Sequence, residues 1–155
     1  MPLFNLTDLH STLPRNQRLL GLDPGTRVIG LALSDVRRVL ASPYGSIKRG
    51  KIADAADAIM AIATREGVGG LIVGLPLQMD GRLGPAAQAA RDWTFALTEA
   101  TGLPAAMWDE RLSSAEANRA LTAQGANRAR RAATVDRMAA AVILQAALDS
   151  LHPIE

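Results

Sequence analysis

From residue 18 onward the hydrophobic positions form short runs, and the punctuation between the runs predicts the elements. Leu19, Leu20, Gly21, Leu22 and Asp23 make an apolar run that stops at the turn pair Pro24-Gly25. A second run covers 28–34, and a third covers 39–47 with Pro43 inside it, which suits an edge strand. Links this tight predict an antiparallel meander. The period then changes. Ile52, Ala55, Ala56, Ile59 and Ile62 recur at three- and four-residue spacing, predicting a helix over 51–66 that Gly67 ends. Residues 70–74 are continuously apolar, as in a buried strand, and 75–84 read as a loop tightened at Asp80-Gly81.

Pro85 opens a second helix that runs to Thr101 and is closed by Gly102 and Pro104, with Trp93 and Phe95 expected to pack beneath it. Residues 105–108 form a last strand leading into Asp109, Glu110 and Arg111. Ser113 and Glu116 have the spacing of a capping box for a helix to Gln124, stopped by Gly125. Residues 126–132 read as a basic loop, and 134–151 as an alanine-rich helix with Val135, Met138, Ala139, Val142 and Leu148 on its apolar stripe. Residues 1–17 lack a sustained period and read as an extension, partly disordered, ahead of one domain over 18–151. Three antiparallel strands followed by alternating strands and helices define an α/β fold, a mixed five-stranded sheet flanked by helices.

Composition narrows the function classes. The 155 residues suffice for one domain that buries roughly 70% of its unfolded surface. They are too few for a two-lobed kinase or a two-domain dehydrogenase. The absence of cysteine excludes thiol catalysis, disulfides and Cys-ligated metals. The two histidines, His10 and His152, sit near opposite ends, which disfavours a His-rich metal site and a Ser-His-Asp triad. No apolar run approaches the ~18 residues of a membrane span, and the start lacks the pattern of a secretory signal. The expectation is a soluble, cytoplasmic protein without a membrane partner.

The sequence pI of 9.7 overstates the basicity, because 17 basic residues against 15 acidic leave a net charge of only +2. Kind and placement matter more. Fifteen of the basic residues are arginine, which grips phosphate bidentately. Arg128, Arg130 and Arg131 fall within four residues without an acid, favouring phosphate contact over a merely solvated loop. Five aromatic residues are too few for a base-stacking platform, so recognition by shape and phosphate is expected. No P-loop and no G-x-S-x-G sequence is present.

The candidate chemistry rests on carboxylates. Asp23 ends an apolar strand, and Gly25 and Thr26 behind it offer close backbone approach and a hydroxyl; an Asx turn is the alternative. Asp109 and Glu110 also end a strand. Adjacent strand residues face opposite sides, so at most one of them joins Asp23. Asp136 sits in the first turn of the last helix, where an acid also serves the helix dipole. Together these acids, without His or Cys, form a hard oxygen set suited to Mg²⁺ or Mn²⁺ and to phosphodiester hydrolysis. Leu75, Pro76 and Leu77 after Gly74 read as a backbone wall beside such a site, or as a plain surface turn.

Four blocks then resemble one family. They are Leu22-Asp23-Pro24-Gly25-Thr26-Arg27, the run Ile72 to Gly81, Asp109-Glu110-Arg111-Leu112-Ser113-Ser114, and Val135-Asp136 followed by Ala139 to Leu144. In this order, over about 18–150, they resemble the YqgF family, the RuvX-type branch of the RNase H-like nucleases. The resemblance implies an RNase H-like fold with sheet order 3-2-1-4-5 and divalent-metal nuclease chemistry with one or two Mg²⁺ or Mn²⁺ ions. It implies 5′-end maturation of pre-16S ribosomal RNA, an RNA precursor being favoured over branched DNA and a small-subunit precursor being the natural partner. It also carries an older label, Holliday junction resolvase. By the same resemblance Asp23, Glu110 and Asp136 correspond to the catalytic metal ligands, spacing leaving Asp109 and Glu110 as alternatives for the second. Thr26, Arg111, Arg128, Arg130 and Arg131 are the expected nucleic-acid contacts. Where the family carries a basic residue before its last aspartate, this chain has Thr134, with the arginines displaced to 128–131. The rival readings are a four-way DNA junction resolvase, a non-catalytic rRNA-binding assembly factor and an actin-like ATPase; the last is disfavoured because the chain has one lobe.

Overall fold

The computed structural model describes residues 3–25, 27–78, 80–112 and 128–152, of which 3–4 and 128–137 are described by backbone alone. Strands β1 (Leu3–Phe4), β2 (Arg18–Pro24), β3 (Val28–Ser34), β4 (Ala41–Lys48), β5 (Val68–Leu75) and β6 (Ala105–Asp109) form one sheet of order β1-β6-β5-β2-β3-β4. Strands β2, β3 and β4 pair antiparallel, whereas β2, β5 and β6 run parallel. Counted without β1, this is the expected order 3-2-1-4-5.

The elements follow from local chemistry. Helix α2 (Ile52–Glu66) ends at Gly67 and α3 (Pro85–Thr101) at Gly102, both glycines in the left-handed region with φ of 71° and 74°. Each donates its N–H back into the last turn, to the carbonyls of Ala63 and Thr98. β4 is an edge strand, and its register shifts beside Pro43, whose missing N–H is harmless there.

Two cores sandwich the sheet. On one face α2 and α3 bury Ala55, Ile59, Ile62 and Leu97 against Leu20, Leu22, Leu31, Leu71 and Val73. On the other, α1 (Leu6–Thr12) and α4 (Arg128–Leu151) bury Leu9, Ala140, Leu144 and Leu148 against Leu19, Ala32, Ile72 and Ala106. Both faces being covered explains why β2, β3 and β5 read as continuous apolar runs rather than alternating ones. Gly21 sets how closely α4 approaches, because a Cβ there would lie 2.8 Å from Leu144 Cβ.

Three expectations need revision. The segment before Arg18 does not trail away from the domain: β1 pairs parallel with β6, and Leu9 of α1 is fully buried. The seven residues of α1 make under two full helical turns, too few to set up a visible period in the sequence. The basic loop expected at 126–132 is helical from Arg128, as α4 spans 24 residues rich in alanine and arginine, both strong helix formers. Trp93 does pack against the core, but Phe95 is half exposed on the outer side of α3. The helix expected over 113–124 lies outside the described residues. No described helix is long and apolar enough to cross a membrane.

Candidate active site

A cleft of about 480 Å³ opens where the parallel strands end, and Asp23, Gly25, Arg49, Gly74, Pro76 and Glu110 are among its lining residues. The register explains the meeting. Leu22 pairs with Val73 and Gly74 with Trp108, so Asp23, Gly74 and Trp108 stand nearly side by side across β2, β5 and β6. Along β2, Leu20 and Leu22 belong to the α2–α3 core, and Leu19 to the α1–α4 core. Asp23 shares the parity of Leu19 and so takes the α4 side. It is buried, only 5% exposed.

Glu110 begins a short 3₁₀ turn, Glu110–Leu112, directly after β6. The turn folds its side chain back across β5, where a Cβ on Gly74 would lie 2.7 Å from Glu110 Oε1. Asp23 and Glu110 therefore approach from the two strands flanking β5, and the absent side chain of Gly74 leaves the space between them. Trp108 packs with Ala139 and Ile143 and fixes the height of α4 above this end of the sheet.

Asp109 has a different partner. Arg111 Nε donates to its Oδ1 at 3.0 Å and Nη2 donates to Oδ2 at 2.6 Å. These side-chain bonds, with the Arg111 backbone N–H, hold the Asp109 carboxyl below the ordinary carboxylate range. Of the two adjacent acids, Glu110 is thus the one in the cleft. Arg111, expected to hold the substrate, is engaged by Asp109 and lies against Gly81 outside the cleft lining.

Asp136 falls on α4 three and four residues before the buried Ala139 and Ala140; its side chain lies outside the described set. The same holds for Arg128, Arg130 and Arg131, whose backbone opens α4. Thr26 lies outside the described residues altogether, although its neighbours Pro24 and Gly25 line the cleft. Among the described side chains no group of three acidic or histidine residues is gathered. The wall expected beside the site is present in Gly74 and Pro76.

Arg49 is the site residue that reading the sequence missed. Its Nη1 donates to the Gly25 carbonyl at 2.8 Å, and its guanidinium lies 5.4 Å from the centre of the Trp93 ring. The signal existed. In a three-strand meander the third strand runs the same way as the first, so the residue after β4 emerges at the edge that carries Asp23.

The sheet order and the covering helices define an RNase H-like fold. A solved structure of Thermus thermophilus RuvC, in complex with a Holliday junction substrate, shares the fold at 13% identity and a TM-score of 0.53, covering 88% of this chain and 96% of its own. The chain belongs to the RuvX family: the model described as "RuvX: Holliday junction resolvase" matches residues 17–150. A relative from Acidiphilium cryptum is 64% identical over 152 residues, covering 98% of this chain and 96% of its own. One from Gluconacetobacter diazotrophicus is 61% identical over 151 residues, with 97% and 98% covered. Both carry the name "Putative pre-16S rRNA nuclease".

Proposed function

We propose that this chain is a divalent-metal-dependent nuclease that cuts phosphodiester bonds in the 5′-end maturation of pre-16S rRNA. The observation that carries the reading is the convergence of Asp23 and Glu110 on one cleft across the bare backbone of Gly74. Names of relatives matched over nearly the whole chain support the substrate.

The donor set fits Mg²⁺ or Mn²⁺, because the two carboxylates are hard oxygen ligands and neither histidine nor cysteine lines the cleft. Asp23 and Glu110, with Asp136 from α4, would hold one or two such ions. When bound, these ions offset the charge that builds on an attacked phosphodiester and make water a better nucleophile at neutral pH. The chain's own groups do the rest. Asp23, buried and held in the sheet, contributes a carboxylate whose position the strand fixes. Arg49, braced between Trp93 and the Gly25 carbonyl, sets a positive charge beside the two acids where a substrate phosphate enters.

The test incubates the purified protein with Mn²⁺, a labelled 5′ fragment of 16S precursor RNA and a differently labelled four-way DNA junction in one tube. Cutting of the RNA that Asp23→Asn abolishes, with the fold intact, is the expected result. The family description favours a second reading, junction resolution, which needs a symmetric dimer across the junction; cutting of the junction alone selects it. RNA bound with neither substrate cut replaces the nuclease by an assembly factor.

A further inference from the structure

A second concave site, of about 470 Å³, lies at the opposite end of the sheet, lined chiefly by His10, Arg15, Asn16, Arg37, Arg38 and His152. Its walls come from α1, the residues before β2, the β3–β4 turn and the end of α4. Gln17 precedes β2 and Asp23 lies six residues further on, so the two sites stand roughly 20 Å apart at strand spacing. Among the described residues three arginines and two histidines line this pocket and no acid does, the Asp35 carboxylate acting on Arg37 from beside it. Among the described residues none of its arginines forms an ion pair.

Arg38 organises the pocket. It is 8% exposed, and among the described residues the acceptors that hold its side chain are uncharged. Its Nε donates to His10 Nδ1 at 3.2 Å, and its Nη1 donates to the carbonyls of Pro14 at 3.1 Å and Gln17 at 2.6 Å. A buried guanidinium held by neutral groups keeps its full charge uncompensated, an arrangement that an anion relieves. Its Nη2 takes part in none of these bonds. Because His10 Nδ1 accepts from Arg38, the neutral His10 ring carries its proton on Nε2, as a further donor. His152 Nε2 donates to the Arg38 carbonyl at 3.1 Å, and the two imidazoles meet edge to face at 5.7 Å.

The backbone points the same way. Asn16 and Arg38, with φ of 70° and 58°, are the two non-glycine residues in the left-handed region among the described residues, and both line this pocket. For arginine that conformation is costly, and such strain gathers at ligand sites.

We infer that this pocket binds a backbone phosphate of the same RNA strand that enters the cleft, gripping it about 20 Å from Asp23. The inference rests on the nuclease reading for the identity of the strand. Two grips on one strand set which phosphodiester bond reaches the acids, through spacing rather than base contacts.

The experiment measures affinity without metal for two single-stranded RNAs, one filling only the cleft and one long enough to reach both sites, across a salt series. Arg15→Ala/Arg37→Ala alters two exposed side chains and leaves Arg38 in place. The expected result is about tenfold weaker binding of the long RNA, with a salt slope shallower by about one to two, and unchanged binding of the short RNA. Inorganic phosphate alone is also expected to shift the His10 and His152 ring signals in NMR. Equal loss for both RNAs would mean diffuse charge and overturn the subsite. Wild-type affinity for the long RNA would overturn it too, and if phosphate still moved the histidine signals the pocket would be a small-anion site. A protein that cuts no RNA, yet whose long-RNA affinity depends on these arginines, overturns the nuclease reading and leaves the subsite standing.

Discussion

Glu110 occupies the space that a side chain on Gly74 would fill, its Oε1 lying 2.7 Å from where a Cβ would stand. A glycine in the middle strand therefore decides where a carboxylate from the neighbouring strand rests. Asp23 reaches the same cleft from the strand on the other side.

Gly74→Ala follows directly. The added methyl meets Glu110 on one side and Ile143 Cδ1, at 3.0 Å, on the other. Both close atoms are the far ends of flexible side chains, so the overpacking costs stability at the low end of its range, about 1 kcal/mol. Displacing a positioned group by a fraction of an ångström to an ångström lowers rate by up to about 100-fold. Cleavage assays beside urea unfolding separate the two effects. A variant that loses stability but cleaves at the wild-type rate removes Glu110 from the chemistry.

Arg49→Gln tests the cation beside the acids. It removes the contact with Trp93, worth about 0.5–2 kcal/mol between two half-buried side chains, and the bond to the Gly25 carbonyl. The expected outcome is a small fall in melting temperature, weaker RNA binding and a slope of log affinity against log salt shallower by about one. An unchanged slope would show that Arg49 braces the Pro24-Gly25 turn without touching phosphate.

His10 makes stability depend on pH near neutrality. Burial first, then the charges of Arg38 and His152, hold its pKa below the ordinary 6.5. As pH falls through 6.5 the unfolded chain takes up the proton before the folded one does. The contribution to stability is therefore complete above pH 6.5 and is lost as pH falls toward the folded-state value. Protonation also removes the Nδ1 lone pair that accepts from Arg38 Nε. Urea unfolding at stepped pH, for the wild type and His10→Gln, is expected to show the loss in the wild type and a flatter profile in the variant. Parallel profiles would rule His10 out as its source.

Much of the architecture was legible because it is local. Gly67 and Gly102 end helices for reasons of backbone conformation, and Pro43 marks an edge because it lacks an N–H. Alternation of apolar runs with helical spacing was enough for five strands, whereas their order in the sheet came from the resemblance to the family. Asp23 and Glu110 were recognisable as carboxylates at strand ends. The start of α4 was misread because a cluster of arginines looks like a loop when only its charge is weighed, although arginine is a good helix former.

What the sequence by itself determined is thus the α/β class of fold and the acids that stand at strand ends, since both follow from residue type and short-range spacing. The tertiary structure alone decided which of two adjacent acids enters the cleft, through a bidentate Arg111 that claims Asp109 and a 3₁₀ turn that swings Glu110 over Gly74. It also carried Arg49 into the cleft that Asp23 lines, and it brought His10 and His152, 142 positions apart, within one pocket. Those meetings depend on strand register and helix packing, which no local pattern encodes.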